Sequence, residues 1–223
     1  MSGIVHLVGA GPGAPDLLTL RAARLLAEAD VVLVDRLVNP DTLNLVADHA
    51  EVIDVGKPLG GDQDAVQDAI THLMISRARA GSTVVRLKGG DPMVFGRGGE
   101  EVQALAAAGV KIEVTPGVSS VLAAAASGQF GLTHRGVASA FAVVTGTGVS
   151  GIDWNRYVTV DTLVILMGVG RRIRIATELI AAGRKNTQPV AFIESASLPS
   201  ERIVYSTLDL VAAGQVDITN PAV

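Results

Sequence analysis

Residues 6–20 read HLVGAGPGAPDLLTL, an apolar run followed by glycines at alternate positions, two prolines and leucines at helical spacing. A buried strand, a glycine-rich turn and a helix in this order are typical of the first unit of a parallel α/β sheet. Short β-branched runs and helical stretches alternate through the rest of the chain. We therefore predict an α/β fold with two α/β domains in series, at residues 1–115 and 116–223, with Pro116 and Gly117 at the boundary.

The composition limits the possible functions. The chain has 223 residues, 48% of them hydrophobic, a net charge of −4 and no cysteine. The lack of cysteine excludes disulfides and thiolate metal sites, and the charge gives no general attraction to nucleic acid. No apolar run reaches the roughly 18 residues that a bilayer span requires, and no signal-peptide pattern opens the chain. We expect a soluble cytoplasmic protein with neither nucleic acid nor a membrane as partner.

The opening loop is similar to a dinucleotide-binding loop but departs from it at two points. The third glycine, Gly13, comes one position too early for Gly-x-Gly-x-x-Gly. Pro12 has no N–H to offer a phosphate. In favour of a nicotinamide-dependent dehydrogenase, Asp35 ends the next predicted strand, where an acid would bind ribose. The opening motif alone does not decide for or against a nicotinamide-dependent dehydrogenase.

Basic residues follow several of the predicted strands. In a parallel sheet the loops after the strands lie at one edge, where ligands bind. Each basic side chain alone is typical of a solvated surface, but four in converging loops predict a site for a small molecule with several carboxylates or phosphates. These residues are Arg36, Lys57, Lys88 and Arg97.

The motifs together resemble a known family. The quoted segments are LVGAGPGAPDLLTLRAARLLAEADVVLVDRLV, GK with Gln67, VVRLKGGDPMVFGRGGEE, TPGVSS and GLTHRGVAS. In this order they are similar to the signatures of the uroporphyrinogen-III C-methyltransferases, a branch of the tetrapyrrole methylases. The resemblance runs from His6 to about Leu210.

The resemblance implies two α/β domains with S-adenosyl-L-methionine bound in the cleft between them, usually in a homodimer. It also implies transfer of two methyl groups to uroporphyrinogen III, at C2 and C7, to give precorrin-2 for sirohaem or cobalamin synthesis. By matching positions, the proton acceptor would be Asp35 and the proton donor Lys57. The cofactor residues would be Pro12, Gly89, Gly90, Asp91, Val94, Ser119, Ser120, Met167 and Ala196.

The chemistry suits these residues. A pyrrole carbon of a porphyrinogen is an enamine-like nucleophile, so the protein mainly has to align the reactants and accept a proton. We expect an apolar surrounding for Asp35, although its carboxylate could instead cap the next turn or pair with Arg36. Lys57 could neutralise substrate carboxylates rather than donate a proton. The candidates to bind the substrate are Arg36, Lys88, Arg97, His134 and Arg135.

A tetrapyrrole carrier without catalytic activity is a second alternative beside the dehydrogenase, because a basic site could bind the macrocycle without catalysing a reaction.

The sequence ends at Asn220-Pro-Ala-Val223, where the family pattern begins a final strand. We therefore expect either a truncated chain, such as a piece of a multifunctional sirohaem synthase, or a disordered last part.

Overall fold

The computed structural model describes residues 3–56, 63–147 and 151–223. The chain divides into two compact units, residues 1–119 (unit 1) and 120–223 (unit 2). Within the described ranges, no helix combines the length and apolarity that crossing a lipid bilayer requires.

Unit 1 is a parallel sheet with helices on both faces. Its elements are β1 (Ile4–Gly9), α1 (Leu20–Ala27), β2 (Val31–Val34), β3 (Glu51–Asp54), α2 (Gln63–Arg79), β4 (Thr83–Lys88), α3 (Gly98–Ala107) and β5 (Lys111–Thr115). The strand order is β3-β2-β4-β1-β5, and all four pairings are parallel. The predicted α/β class is confirmed.

The side chains of the central strands alternate between two apolar cores. Val85 and Leu87 of β4 pack with α1 on one face of the sheet. Val84 packs on the other face with Met74 of α2 and Leu105 of α3. This alternation also places residues 86 and 88 on the α2–α3 face.

The first helix begins later than its apolar spacing predicts. The helical spacing of leucines in the opening stretch begins at Leu17 and predicts a helix from there, but Pro15–Leu17 forms a 3₁₀ turn and α1 begins at Leu20. The reason is local: the Thr19 hydroxyl accepts a hydrogen bond from the N–H of Ala22, which makes Thr19 the N-cap. A further 3₁₀ segment, Pro40–Leu45, was not predicted.

Unit 2 combines a parallel strand pair with an antiparallel one. Its elements are α4 (Ser120–Ser127), β6 (Phe141–Thr145), β7 (Thr162–Leu166), α5 (Arg172–Ala181), β8 (Pro189–Glu194), β9 (Arg202–Thr207) and α6 (Leu208–Ala212). β6 and β7 pair in parallel, whereas β8 and β9 pair antiparallel. The sequence predicted strands that alternate with helices, whereas β8 and β9 follow one another with no helix between them, and α6 was not predicted.

The last residues are ordered against β8. Val223 exchanges two backbone hydrogen bonds with Ile193, at 2.9 and 3.0 Å, and the N–H of Ser195 donates to the carbonyl of Pro221 at 2.9 Å. The expectation of a disordered last part is therefore wrong for these residues.

Candidate functional site

In unit 1, the loops that follow β1, β4 and β5 meet through their backbones. Gly11 and Gly90 exchange two hydrogen bonds, at 3.2 and 2.7 Å. Asp91 Oδ2 accepts a hydrogen bond of 3.0 Å from the N–H of Gly117. The loop after β2 joins this group, because Asn39 Nδ2 donates to the carbonyl of Gly13 at 2.9 Å. For these loops, the predicted convergence at the carboxyl edge of the sheet is confirmed.

Glycine is required where these loops touch. A Cβ placed on Gly117 would lie 2.2 Å from the carbonyl oxygen of Gly90, and one on Gly9 would lie 2.5 Å from the N of Gly117. Three backbones are therefore stacked without side chains between them. We call the surface formed by Gly9, Gly90 and Gly117 the glycine floor. In the loop after β4, which carries Gly90, the side chains of Met93, Val94 and Phe95 are exposed and apolar.

Asp91 is held by its own loop. Its Oδ1 accepts from the N–H of Met93 at 2.8 Å, while its Oδ2 accepts from Gly117. Each carboxylate oxygen keeps a further lone pair. The carboxylate thus fixes the loop and still offers acceptors to a ligand at the same place.

Asp35 lies directly after β2 and is partly exposed, with 33% of its side chain accessible. Its Oδ1 accepts from the N–H of Arg36 at 3.1 Å, so the expected turn-capping contact is present. Its Oδ2 lies 3.3 Å from Nη2 of Arg86. The expected apolar surrounding is therefore wrong, because a guanidinium faces the carboxylate.

Lys88 does not lie in an open basic site, contrary to our expectation. Only 3% of its side chain is exposed. Its Nζ donates to Glu101 Oε1 at 3.0 Å and lies 2.9 Å from Oε2, an ion pair without hydrogen-bond alignment. Burial, and next the neighbouring Arg86, lower the pKa of Lys88 below its usual value, while Glu101 raises it. In this arrangement the ammonium is bound by Glu101 rather than available to a substrate.

The other predicted basic residues of unit 1 differ in their surroundings. Arg36 is exposed. Arg97 precedes α3, and its Nη2 lies 2.9 Å from Asp64 Oδ1 and 2.6 Å from Glu100 Oε2. Hydrogen bonding to Glu100 raises the pKa of Arg97. Lys57 lies outside the described residues.

Three of the predicted cofactor residues lie in unit 2. Met167 follows β7 with a φ of 56° and is 49% exposed. Ala196 is 7% exposed and packs with Ile193 and two alanines of α4. Ser120 begins α4, and Ser119 ends unit 1 immediately before it.

His134 and Arg135, both exposed, lie on a tight turn of unit 2. His134 and Ala138 exchange two backbone hydrogen bonds, at 2.8 and 2.9 Å. The turn and the Asp161 side chain line a cavity of about 410 Å³. The structure therefore places His134 and Arg135, two of the predicted substrate-binding residues, at one concave surface.

Asp161 fixes the end of this turn. Its Oδ2 accepts from the N–H and hydroxyl of Ser139, at 2.8 and 3.1 Å, and from the N–H of Ala140 at 3.2 Å. These backbone hydrogen bonds lower the pKa of Asp161. Sequence reasoning missed this residue, since an isolated Asp before a strand carries no specific signal.

Arg86 and Glu101 were also missed, although a signal was present. The run VVRLK in β4 puts Arg86 at an inward position of a strand whose neighbours in sequence are apolar. Arg86 is 1% exposed and Glu101 is fully buried. A charged residue inside an apolar strand indicates a buried partner.

The chain has two α/β units, and in unit 1 the glycine floor and the Asp91 carboxylate lie at the ends of the strands. This arrangement is typical of a class of ligand-binding enzymes and does not by itself define one activity. The family model of the tetrapyrrole (corrin/porphyrin) methylases matches residues 5–212. The chain therefore belongs to the tetrapyrrole methylase family.

Individual relatives agree with this assignment. The uroporphyrinogen-III C-methyltransferase of Bacillus subtilis is 41% identical over 227 residues, covering 99% of this chain and 88% of the relative. A crystal structure of the uroporphyrin-III C-methyltransferase of Thermus thermophilus, complexed with S-adenosylhomocysteine, superposes with a TM-score of 0.87 at 50% identity, covering 99% and 90% of the two chains.

Longer relatives match as well. The siroheme synthase of Pseudomonas putida F1 is 44% identical over 222 residues, which cover 96% of this chain and 48% of the relative. The chain thus spans about half the length of the siroheme synthases that it matches.

Proposed function

We propose that this chain catalyses S-adenosyl-L-methionine-dependent C-methylation of uroporphyrinogen III at C2 and C7, which yields precorrin-2. The observation that carries the proposal is the position of Asp35. Its carboxylate is partly exposed and oriented at both oxygens, at the same sheet edge as the glycine floor. Relatives named as uroporphyrinogen-III or uroporphyrin-III C-methyltransferases cover nearly the whole chain.

The residues of unit 1 fit the proposed cofactor. The glycine floor lets a ligand approach the backbone closely, and Pro12 beside it withholds an N–H from any phosphate. A cationic ligand without phosphates suits this floor, because Asp91 adds a carboxylate with free lone pairs. Pro12, Gly89, Gly90, Asp91, Val94 and Ser119 of unit 1 would hold the cofactor, and the same role for Ser120, Met167 and Ala196 rests on the resemblance of the motifs alone.

When bound, the cofactor supplies an electrophilic methyl group on a sulfonium. The chain's own contribution is alignment and proton transfer. As the pyrrole carbon forms its new bond to the methyl carbon, the macrocycle loses a proton, and Asp35 accepts it at a carboxylate oxygen. No metal is needed for this step, since the leaving group is a neutral thioether.

The substrate is a polycarboxylate, and exposed cations would bind it. Arg36, His134 and Arg135 are exposed, and each is a candidate for this role. Arg97 could join them by exchanging one of its carboxylate partners for a substrate carboxylate. Lys57 would act as proton donor or as a further carboxylate-binding residue. We also propose a homodimer, on the resemblance of the motifs, and a cytoplasmic location, on the composition of the chain.

The decisive experiment measures transfer of a labelled methyl group to uroporphyrinogen III, with product identified by mass. Two methyl groups per macrocycle are expected, and Asp35→Asn should lower kcat by about 10²- to 10⁴-fold. Binding of S-adenosylhomocysteine to that variant, measured by calorimetry, should stay within about threefold of wild type. Arg135→Ala should instead raise KM for the macrocycle.

Two other outcomes would overturn the proposal. Binding of the macrocycle without methyl incorporation would indicate a carrier. Tight binding of NADH with no binding of S-adenosylhomocysteine would indicate a dehydrogenase. Light scattering on the purified chain separately tests the proposed dimer.

A further inference from the structure

Charged side chains lie inside the α2–α3 core of unit 1. Arg86 and Lys88 of β4 and Glu101 of α3 are each no more than 3% exposed. Burying an ion costs several kcal/mol unless partners compensate it, and replacing such a cluster by apolar residues is often neutral for stability. Stability alone therefore gives no reason for these charges at the end of an otherwise apolar strand.

The Arg86 guanidinium has an acceptor in each direction. Its Nε donates to Glu101 Oε1 at 3.3 Å, and its Nη1 donates to the carbonyls of Leu33 and Leu87, both at 3.4 Å. Its Nη2 donates to Asp35 Oδ2 at 3.3 Å. The planar group is thus fixed by β2 and the residue after it, by its own strand β4 and by α3.

Glu101 connects this guanidinium to the helices. Gln67 of α2 donates through Nε2 to Glu101 Oε1 at 2.8 Å, and Lys88 pairs with the same carboxylate. Contacts therefore run without interruption from α2 through Glu101 and Arg86 to Asp35. Glu101 Oε1 accepts hydrogen bonds from all three side chains, Gln67, Arg86 and Lys88, and a buried network of this kind holds its members in one arrangement.

Asp35 is the outer end of this network. The Arg36 N–H fixes one carboxylate oxygen and Arg86 fixes the other. An ionised carboxylate has about four lone-pair sites, so each oxygen keeps a site for a substrate proton after these contacts. The carboxylate plane is fixed while its outer sites stay open.

We propose that Arg86 is a positioning residue for Asp35, and that Glu101, itself oriented by Gln67 and Lys88, holds Arg86 in place. This inference rests on the proposed function, in which Asp35 accepts the substrate proton. Arg86 touches neither substrate nor cofactor in this scheme. It acts by fixing the direction from which the carboxylate meets the macrocycle.

The test compares Arg86→Gln and Arg86→Lys with Arg184→Gln as a matched control. Arg184 is a half-buried arginine of unit 2 whose Nη2 donates to the carbonyls of Tyr157 and Val160. Arg86→Gln should lower kcat about 10- to 100-fold, the effect of a small misplacement of a reacting group. KM for uroporphyrinogen III and Kd for S-adenosylhomocysteine should change less than about threefold.

The other variants separate positioning from stability. Arg86→Lys keeps a cation beside Glu101 but cannot span both carboxylates, so its kcat should lie between those of wild type and Arg86→Gln. Arg184→Gln should lower Tm and leave kcat unchanged. Wild-type kcat in Arg86→Gln, or a kcat loss in both Gln variants that follows Tm, would overturn the inference. If Arg86→Gln does not fold, wild-type kcat in Arg86→Lys overturns it.

A measurement without turnover keeps the two proposals distinguishable. In the free protein, the guanidinium protons of Arg86 should exchange with water faster in Asp35→Ala than in wild type, as followed by ¹⁵N NMR. Equal exchange would refute the contact. If wild type transfers no methyl group, the proposed function fails, whereas this exchange experiment still decides whether Arg86 holds Asp35.

Discussion

Glu194 at the end of β8 provides a stability prediction with a defined sign. Its side chain is 6% exposed and faces Arg202 of β9, which donates through Nε and Nη2 at 2.7 and 2.6 Å. The N–H of Thr219 donates to the same carboxylate at 2.7 Å. The hydrogen bonds from Arg202, and next that from Thr219, lower the pKa of Glu194 from 4.5 to about 2.

A carboxyl whose pKa is lower in the folded chain stabilises the fold above its unfolded pKa, and this contribution is lost as the pH falls through the folded pKa. Each pH unit between 4.5 and 2 is worth about 1.4 kcal/mol, so the full difference corresponds to about 3 kcal/mol. Because the Arg202 side chain is 47% exposed and water screens the pair, we expect about 1–2 kcal/mol.

The assay is urea unfolding of wild type and Glu194→Gln at several pH values. Wild type should be the more stable by about 1–2 kcal/mol at pH 7. The difference should shrink between pH 4.5 and pH 2 and vanish below that window. Glu28→Gln, at an exposed glutamate of unit 1, should stay within about 0.5 kcal/mol of wild type throughout. A difference that is equal at pH 7 and pH 2 would refute the electrostatic reasoning.

Three further changes have defined outcomes. Leu105→Ala, at a fully buried site, should lower the free energy of unfolding by about 2–5 kcal/mol in urea titrations. Gly117→Ala should lower Tm and weaken S-adenosylhomocysteine binding, since its Cβ would meet the carbonyl of Gly90, whereas Gly99→Ala, with open space around its Cβ, should do neither. Asp161→Ala releases the turn that carries Arg135 and should raise KM for uroporphyrinogen III by about tenfold at unchanged kcat. An unchanged KM would mean that the turn keeps its shape without that carboxylate.

The fold of unit 1 could be predicted from the sequence because its strands are short apolar runs between helices with clear ends. Gly81, with a φ of 99°, ends the segment of α2 as a left-handed glycine does. The start of α1 could not be placed from leucine spacing, because the hydroxyl of Thr19 decides it. In unit 2 the antiparallel pairing of β8 and β9 depends on contacts that no local pattern encodes.

The sequence likewise predicted some parts of the candidate site and not others. The convergence of the loops at the strand ends followed from parallel topology, and so did the position of Asp35 at that edge. Counting Lys88 among the ligand-binding cations was wrong, since strand alternation puts it on the same face of β4 as Arg86 and its partner lies on α3. Sequence spacing shows that charges are close along the chain, but not which of them neutralise one another across a sheet.

The stacked glycines of unit 1 have a consequence for how a ligand enters. Gly9, Gly90 and Gly117 touch backbone to backbone, and Asp91 ties two of these loops together. None of the three loops can swing aside without breaking contacts to the others. These contacts make this part of unit 1 a preformed surface that a ligand meets without a rearrangement of the three loops.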